Sequence, residues 1–390
     1  MSMDMEVTMA HEAIAANARR LRKRKGLSQE KMAKAAGLSL AGYRNIETGR
    51  SIPRVDTLYS LASAMEVPVQ ELLAPVLELR AVRFRSFKRL RTRDQVLSDV
   101  ARWLKDFNEL EQVLDELRVF SLDGSKGSNV DQDRPSAAAQ WVRGRFSLSP
   151  NDPVRDLSGL LEANGVKVLP LEIKSDAFFG LSVAPDDGGP AIVVNTWDRI
   201  SVERWIFSAA HELGHLVLHL GDYNVEEEAE AKGEEQEANI FAGHFLMPAE
   251  VFRREWDDTY GMSFVDRVMK VKRIFRVSYK TVLYRLSETA TDKAEIWRGF
   301  QIDYQRRYGK TLHKLDEPEA LAADAFRASS PEPSSAGEPE RLSKADFIED
   351  RLSRLVRRAV EKSLITLSRG AEILGLSLQE MRELSAAWVE

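Results

Sequence analysis

The sequence predicts a mainly α, multidomain protein: an all-α five-helix N-terminal domain, a long connecting helix, an α+β domain and a small α-helical C-terminal module. Three observations predict it. Residues 12 to 73 break into five short helical segments; one amphipathic run follows; short apolar strands then precede a helix with two histidines four residues apart. The expected boundaries are 11–75, a helical linker at 76–135, the α+β domain at 136–312, a disordered linker at 313–342 and the last module at 343–390. With 43% hydrophobic and 30% charged residues, the chain has the composition of a globular protein able to build packed cores. It holds no cysteine, so disulfides, thiolate zinc sites and cysteine nucleophiles are excluded and any metal must be held by His, Asp or Glu. That composition suits the cytoplasm. Apolar runs fall well short of the roughly 18 residues of a membrane span, and the acidic start MSMDMEVTMAHE is unlike a signal peptide.

The first element follows from Ala13, Ile14, Ala18 and Leu21, which recur at helical period and stop at Gly26. Ser28 and Gln29 open a helix to Ala36, and Gly37 turns the chain. Ser39 caps a third helix, Leu40 to Thr48, closed by Gly49; Pro53 precedes a fourth, Val55 to Met65, and Pro68 starts a fifth. The second and third helices have the helix-turn-helix layout, in which the second of the pair enters the major groove. Met32, Ala33, Ala36, Leu38, Tyr43 and Ile46 pack the pair, leaving Ser39, Ala41, Gly42, Arg44 and Asn45 outward. Arg44 suits guanine and Asn45 adenine, while Gln29, Arg20, Lys25 and Arg50 stand near phosphates. Between Asn17 and Arg54 lie eleven basic residues and two acids, although the whole chain is at −5. Such a module binds a polyanion or presents a solvated basic face for protein contact. The stretch GLSQEKMAKAAGLSLAGYRNIETGRSIPRVDTLYSLASAMEVPVQELL resembles the phage-repressor-like (XRE, Cro/CI-type) DNA-binding domain through all five helices. That resemblance implies a double-stranded DNA operator, and a homodimer to match operator two-fold symmetry.

Thr92 can cap the connecting helix to about Val119, with Val96, Leu97, Val100, Trp103, Leu104, Phe107, Leu110, Leu114 and Leu117 in one stripe. It serves as spacer, dimerisation element or support for the next domain. The polar segment LDGSKGSNVDQDRP follows as a flexible connection.

In the α+β domain, Val166–Pro170, Phe178–Val183 and Ala191–Asn195 read as strands. Ser201 then caps the helix SVERWIFSAAHELGHLVLH. Residues i and i+4 share a helical face, so His211 and His215 can present ring nitrogens to one Zn2+. Glu212, about 100° around the helix, reaches a water on that ion without ligating it. An ion so held polarises a scissile carbonyl and acidifies the water; Glu212 takes the proton and returns it to the leaving amine, which is peptide hydrolysis. Gly214 keeps the adjoining face thin. No HxxGxxH continuation follows, so the third ligand must be a carboxylate.

Glu234, Glu235 and Glu237 compete for that place on the next helix, behind an acidic loop from Asp222 to Glu230 read as solvated. Ala238, Ala242 and Phe245 form the inner stripe, which puts Glu235 toward the first helix, with Asn239 one turn on to orient a ligating histidine. Glu237 is the runner-up and Glu234 the third choice. The segments HELGHLVLH and EEQEANIFAGHFLMP resemble the ImmA/IrrE family of zinc metallopeptidases over about residues 150 to 290. The resemblance implies an α+β gluzincin-like domain, with His211, His215 and Glu235 on zinc, Glu212 as catalyst, and cleavage of a repressor or control of a prophage, stress or toxin operon. His244 departs from the pattern and could crowd or extend the site; His219 reads as structural, and Tyr279 and Tyr284 as core.

Ser263 to Glu288 reads as two helices of the same domain, and PEALAADAFRASSPEPSSAGEPER as linker. From Ser343 the helical pattern resumes, with helices opened by Leu367-Ser368 and Leu376-Ser377. This helix-turn-helix-like module favours protein contact. Two functions remain: a DNA-binding regulator with a working peptidase acting on a repressor or partner such as a toxin, or a repressor or antitoxin in which that domain only senses.

Overall fold

The computed structural model describes residues 3–73, 79–86, 93–120, 122, 134–149, 152–223, 232–322 and 339–389. Thr92, the connection at 123–133, Glu226 to Glu230 and most of the linker at 323–338 lie outside them. The chain divides into two compact units, Met1–Leu79 with Arg89–Trp103, and Arg80–Lys88 with Leu104–Glu390. Its helices are mostly short, and among the described residues none is long and apolar enough to cross a membrane.

The first unit contains α1 (Met3–Arg24), α2 (Gln29–Ala35), α3 (Leu40–Glu47), α4 (Val55–Met65) and α5 (Val69–Leu73). Ser28 and Ser39 cap α2 and α3 by accepting from Lys31 N and Gly42 N, the first-turn amides that a helix cannot satisfy itself. Ile14, Ala18, Leu21, Met32, Ala33, Tyr43, Ile46, Leu61 and Leu72 fill one core, and Asn17 Nδ2 ties α1 to Leu72 O at 3.2 Å.

The second unit centres on a four-stranded sheet in the order β1 (Val82–Ser86), β3 (Phe178–Val183), β4 (Ala191–Asn195), β2 (Lys167–Leu171). β1 and β4 run antiparallel to β3, and β2 parallel to β4. The linker reading of residues 76–135 is thereby corrected: Val82-Arg83-Phe84-Arg85 alternates as a strand should, and it pairs along the whole of β3. α6 (Arg93–Leu114), of which the part from Leu104 onward belongs to this unit, α7 (Arg134–Arg145) and α8 (Leu157–Ala163) precede the sheet's remaining strands in the chain. α9 (Val202–Leu218) crosses the sheet and carries α10 (Lys232–Leu246) on its other side. Enclosed so, α9 buries all of its residues except Arg204. α11 (Ala249–Asp257), α12 (Phe264–Phe275), α13 (Tyr279–Glu288) and α14 (Lys293–Tyr308) complete the body.

The segment at 313–322 is a packed strap rather than disordered linker. Leu315 and Leu321 lie on the core, Arg273 donates to Leu321 O at 2.7 Å, and Lys272 Nζ bridges Glu203 at 2.6 Å and Glu317 at 2.9 Å. Burial pushes the Glu317 carboxyl up, against the pull of Lys272. Beyond it, Phe347 packs on Trp205, and α15 (Arg351–Glu361), α16 (Leu367–Leu374) and α17 (Leu378–Ala386) gather around Val356, Ala359, Ala371 and Met381. This module docks through Arg369 on Asp106 at 2.5 Å and through Arg351 on Glu111, a carboxylate also 3.3 Å from Lys167 Nζ. Glu111 is 1% exposed, so Glu111→Ala strands two buried cations. We expect a loss of about 3–5 kcal/mol in denaturant unfolding and earlier proteolytic release of residues 339–389.

Candidate metal centre and DNA-binding face

α9 begins at Ser201, whose Oγ accepts from Arg204 N, and its phase carries His211 and His215 to the side facing α10. The two rings stand edge to face, centroids 4.6 Å apart, with their Nε2 atoms 3.0 Å from each other. Glu235 on α10 completes a triangle, its carboxylate oxygens 3.3 Å from His211 Nε2 and 3.1 Å from His215 Nε2. Close helix approach makes this possible. A Cβ on Gly214 would lie 3.0 Å from Phe241 Cδ1 and 3.3 Å from Ala238 Cα, so glycine lets α10 sit this near without pushing on Phe241.

The outer ring nitrogens are engaged. His211 Nδ1 donates to Asn239 Oδ1 at 3.1 Å, which turns Nε2 toward the triangle. His215 Nδ1 stands 3.0 Å from His219 Nδ1, whose Nε2 stands 3.0 Å from Glu237 Oε2. Burial pushes the His215 ring down to about 4 and lowers His219 as well, so His215 is neutral at pH 7. A tetrahedral zinc with ligand bonds near 2.0–2.2 Å has ligand–ligand edges of about 3.3–3.6 Å. The observed spacings of 3.0, 3.1 and 3.3 Å, from two imidazoles and a carboxylate, are of the size such an ion would bridge.

Glu212 is buried at 1% exposure, one residue from His211 and outside the triangle. Its Oε2 accepts from Ser182 Oγ at 2.8 Å, and Ser182 Oγ in turn accepts from Tyr223 OH at 2.8 Å. Gly180, two residues earlier on β3, gives Glu212 room: a Cβ there would meet its Oε1 at 3.2 Å. Opposite Ser182 in register stands Arg83 of β1, which pairs with Glu234 and lies 3.9 Å from Glu235 Oε1.

The three glutamates thus divide. Glu235 joins the histidines, Glu234 anchors Arg83, and Glu237 binds His219. His244 is elsewhere, beside Arg285 and Glu288, and Tyr279 stacks on Phe300 in the core. Sequence reasoning missed Arg83, Ser182, Tyr223 and the contacts of His219 with His215 and Glu237. The strand alternation could have shown Arg83, and the four-residue step from His215 could have shown His219.

On the first unit, Ser39, which caps α3, Arg44 and Asn45 on α3 and Arg50 just beyond it are exposed, and Gln29 on α2 is half-buried. Their geometry rests on Glu47, buried at 1%, which accepts from Arg22 Nε at 2.6 Å, Tyr43 OH at 2.8 Å and Gln29 Nε2 at 2.6 Å. Gln29 Oε1 then accepts from Arg44 Nε at 3.2 Å, so the chain of bonds ends on an exposed guanidinium. Burial would raise the Glu47 carboxyl, but these hydrogen bonds and the Arg22 charge outweigh it and hold it below the usual range. Arg20 and Lys25 are paired with Glu71 and Glu66.

Residues 161–287 match the IrrE N-terminal-like domain of the peptidase M78 family, and residues 19–72 match a helix-turn-helix domain. The chain is 42% identical over 62 residues to an uncharacterized HTH-type transcriptional regulator, y4dJ, of Sinorhizobium fredii; this is 16% of this chain and 80% of that protein. Among solved structures it is similar to the apo form of ComR from S. thermophilus, at 15% identity over 82% of this chain and 98% of that one. The apo competence regulator ComR from Streptococcus vestibularis is similar at 12% identity, over 97% and 98% of the two chains. Both have a TM-score of 0.16, which carries no argument about this chain.

Because the triangle depends on the contact between α9 and α10, we expect Gly214→Val to overpack it against Phe241 and destabilise the second unit by about 1–3 kcal/mol. Thermal unfolding would show the loss, and the melting of the DNA-binding unit would not shift.

Proposed function

We propose that this chain, which belongs to the helix-turn-helix transcriptional regulators and carries an IrrE N-terminal-like peptidase domain, is a cytoplasmic operator-binding homodimer with a zinc-dependent endopeptidase. Its substrate is a repressor or partner protein such as a toxin. The observation that carries the reading is the convergence of His211 Nε2, His215 Nε2 and the Glu235 carboxylate within 4.8 Å of one another, on buried helices that fix them. These three residues would hold Zn2+, and Asn239 would orient His211. The bound ion supplies a Lewis acid for a peptide carbonyl and a water acid enough to lose its proton near neutral pH. Glu212, kept beside the triangle by Ser182, takes that proton on its carboxylate and delivers it to the leaving amine. At the other unit, α3 enters the major groove with Arg44 and Asn45 on base edges and Ser39 beside them, while Gln29 and Arg50 stand at phosphates. Ser39 keeps its hydroxyl proton for DNA because its cap uses only a lone pair.

One observation favours the second reading, a repressor or antitoxin whose peptidase-like domain senses without cutting. β1 covers the free edge of β3 beside Glu212, and its Arg83 reaches Glu235. Glu212→Gln separates the two. It should keep zinc and operator binding and lower cleavage of a co-purified or co-expressed partner by about 10²- to 10⁴-fold. If regulation in the cell is unchanged in Glu212→Gln, sensing without cleavage replaces the peptidase reading.

A further inference from the structure

We infer that His219 and Glu237 form an outer chain that fixes the tautomer of His215, so that its Nε2 is always free toward the metal. The inference rests on the zinc assignment above and concerns residues that act through His215. Polarity runs one way along the chain. Glu237 Oε2 is a carboxylate oxygen and only accepts, so the His219 nitrogen 3.0 Å away must carry the proton at Nε2. A neutral His219 then has a bare Nδ1, and that atom lies 3.0 Å from His215 Nδ1. The shared proton therefore belongs to His215 Nδ1, and His215 Nε2 is left with its lone pair toward His211 Nε2 and Glu235. The reverse order would put a proton on His215 Nε2, in the middle of the ligand triangle, and would leave the Glu237 carboxylate facing a bare nitrogen. His215 and His219 are 0% and 4% exposed, so water does not substitute for either partner. Glu237 is 39% exposed, which places the charged end of the chain at the surface, where a carboxylate is least costly. His211 has a simpler counterpart in Asn239, so each ligating ring has its own outer anchor.

The experiment uses the full chain with its six histidines labelled with ¹⁵N, and zinc itself as the probe. Two-bond ¹H–¹⁵N spectra of the metal-free protein should show His215 protonated at Nδ1. Chelator competition should show zinc bound roughly 10- to 100-fold more weakly by His219→Phe, the range expected when an outer partner of a metal-bound histidine is lost. His219→Asn, whose side-chain oxygen can stand where Nδ1 stood, should restore most of that affinity and the Nδ1–H signal. Glu237→Ala removes only a half-exposed side chain, so it tests the chain even if His219→Phe does not fold; it should weaken zinc several-fold and mix the His215 tautomers. Zinc affinity unchanged in both His219→Phe and Glu237→Ala, or His215 protonated at Nε2 in the wild type, would overturn the inference. Absence of cleavage by a wild type with these spectra and this affinity would defeat the peptidase reading and leave the outer chain standing. A wild type that takes up no zinc would defeat the metal reading, while the His215 tautomer would still decide the polarity.

Discussion

Two imidazole nitrogens on successive turns of a buried helix face each other across 3.0 Å, with a carboxylate closing the third side. Lone pairs and a negative charge gathered in a low-dielectric interior repel, and the arrangement is stable only with a cation at its centre or a proton in it. Most of the second unit can be understood from that constraint. α9 is sandwiched between sheet and α10, which removes water; Gly214 sets the helix spacing; Asn239 and His219 occupy the outward nitrogens so that no ring can turn. Metal binding to such a site contributes to folding because the unfolded chain has no comparable donor set.

The same logic of a buried charge with directed partners organises the DNA-binding unit. Glu47 is an acid in a strongly basic module, and its position inside the helix pair makes it an anchor instead of a defect in the field. It draws in Arg22, Tyr43 and Gln29, and Gln29 passes the constraint to Arg44. A long, flexible guanidinium is thus partly ordered within the unit, and in the proposed operator complex that ordering would lower the entropy lost on binding.

Local chemistry was legible in the sequence where the signal was short-range. The caps at Ser28, Ser39 and Ser201, the strands at 178–183 and 191–195, the helix bearing His211 and His215, and the phase that put Glu235 inward all follow from spacing. Long-range pairings were not legible. β1 is five residues of alternating pattern between a short helix and a long one, and its partner β3 is about a hundred residues away. The strap at 313–322 has a linker's Pro and Glu content, yet its leucines and Glu317 find the core and Lys272 only in three dimensions. Tyr223 and Ser182 reach Glu212 from separate elements, which no single-segment pattern encodes.

The central claim is that His211, His215 and Glu235 form one metal site, and X-ray absorption at the zinc edge of the zinc-loaded full chain tests it most directly. The account predicts one zinc per chain with two imidazole nitrogens and carboxylate oxygen at about 2.0–2.2 Å, and loss of that signature in Glu235→Ala. A wild type that takes up no zinc, or a zinc whose coordination is unchanged in Glu235→Ala, would contradict it.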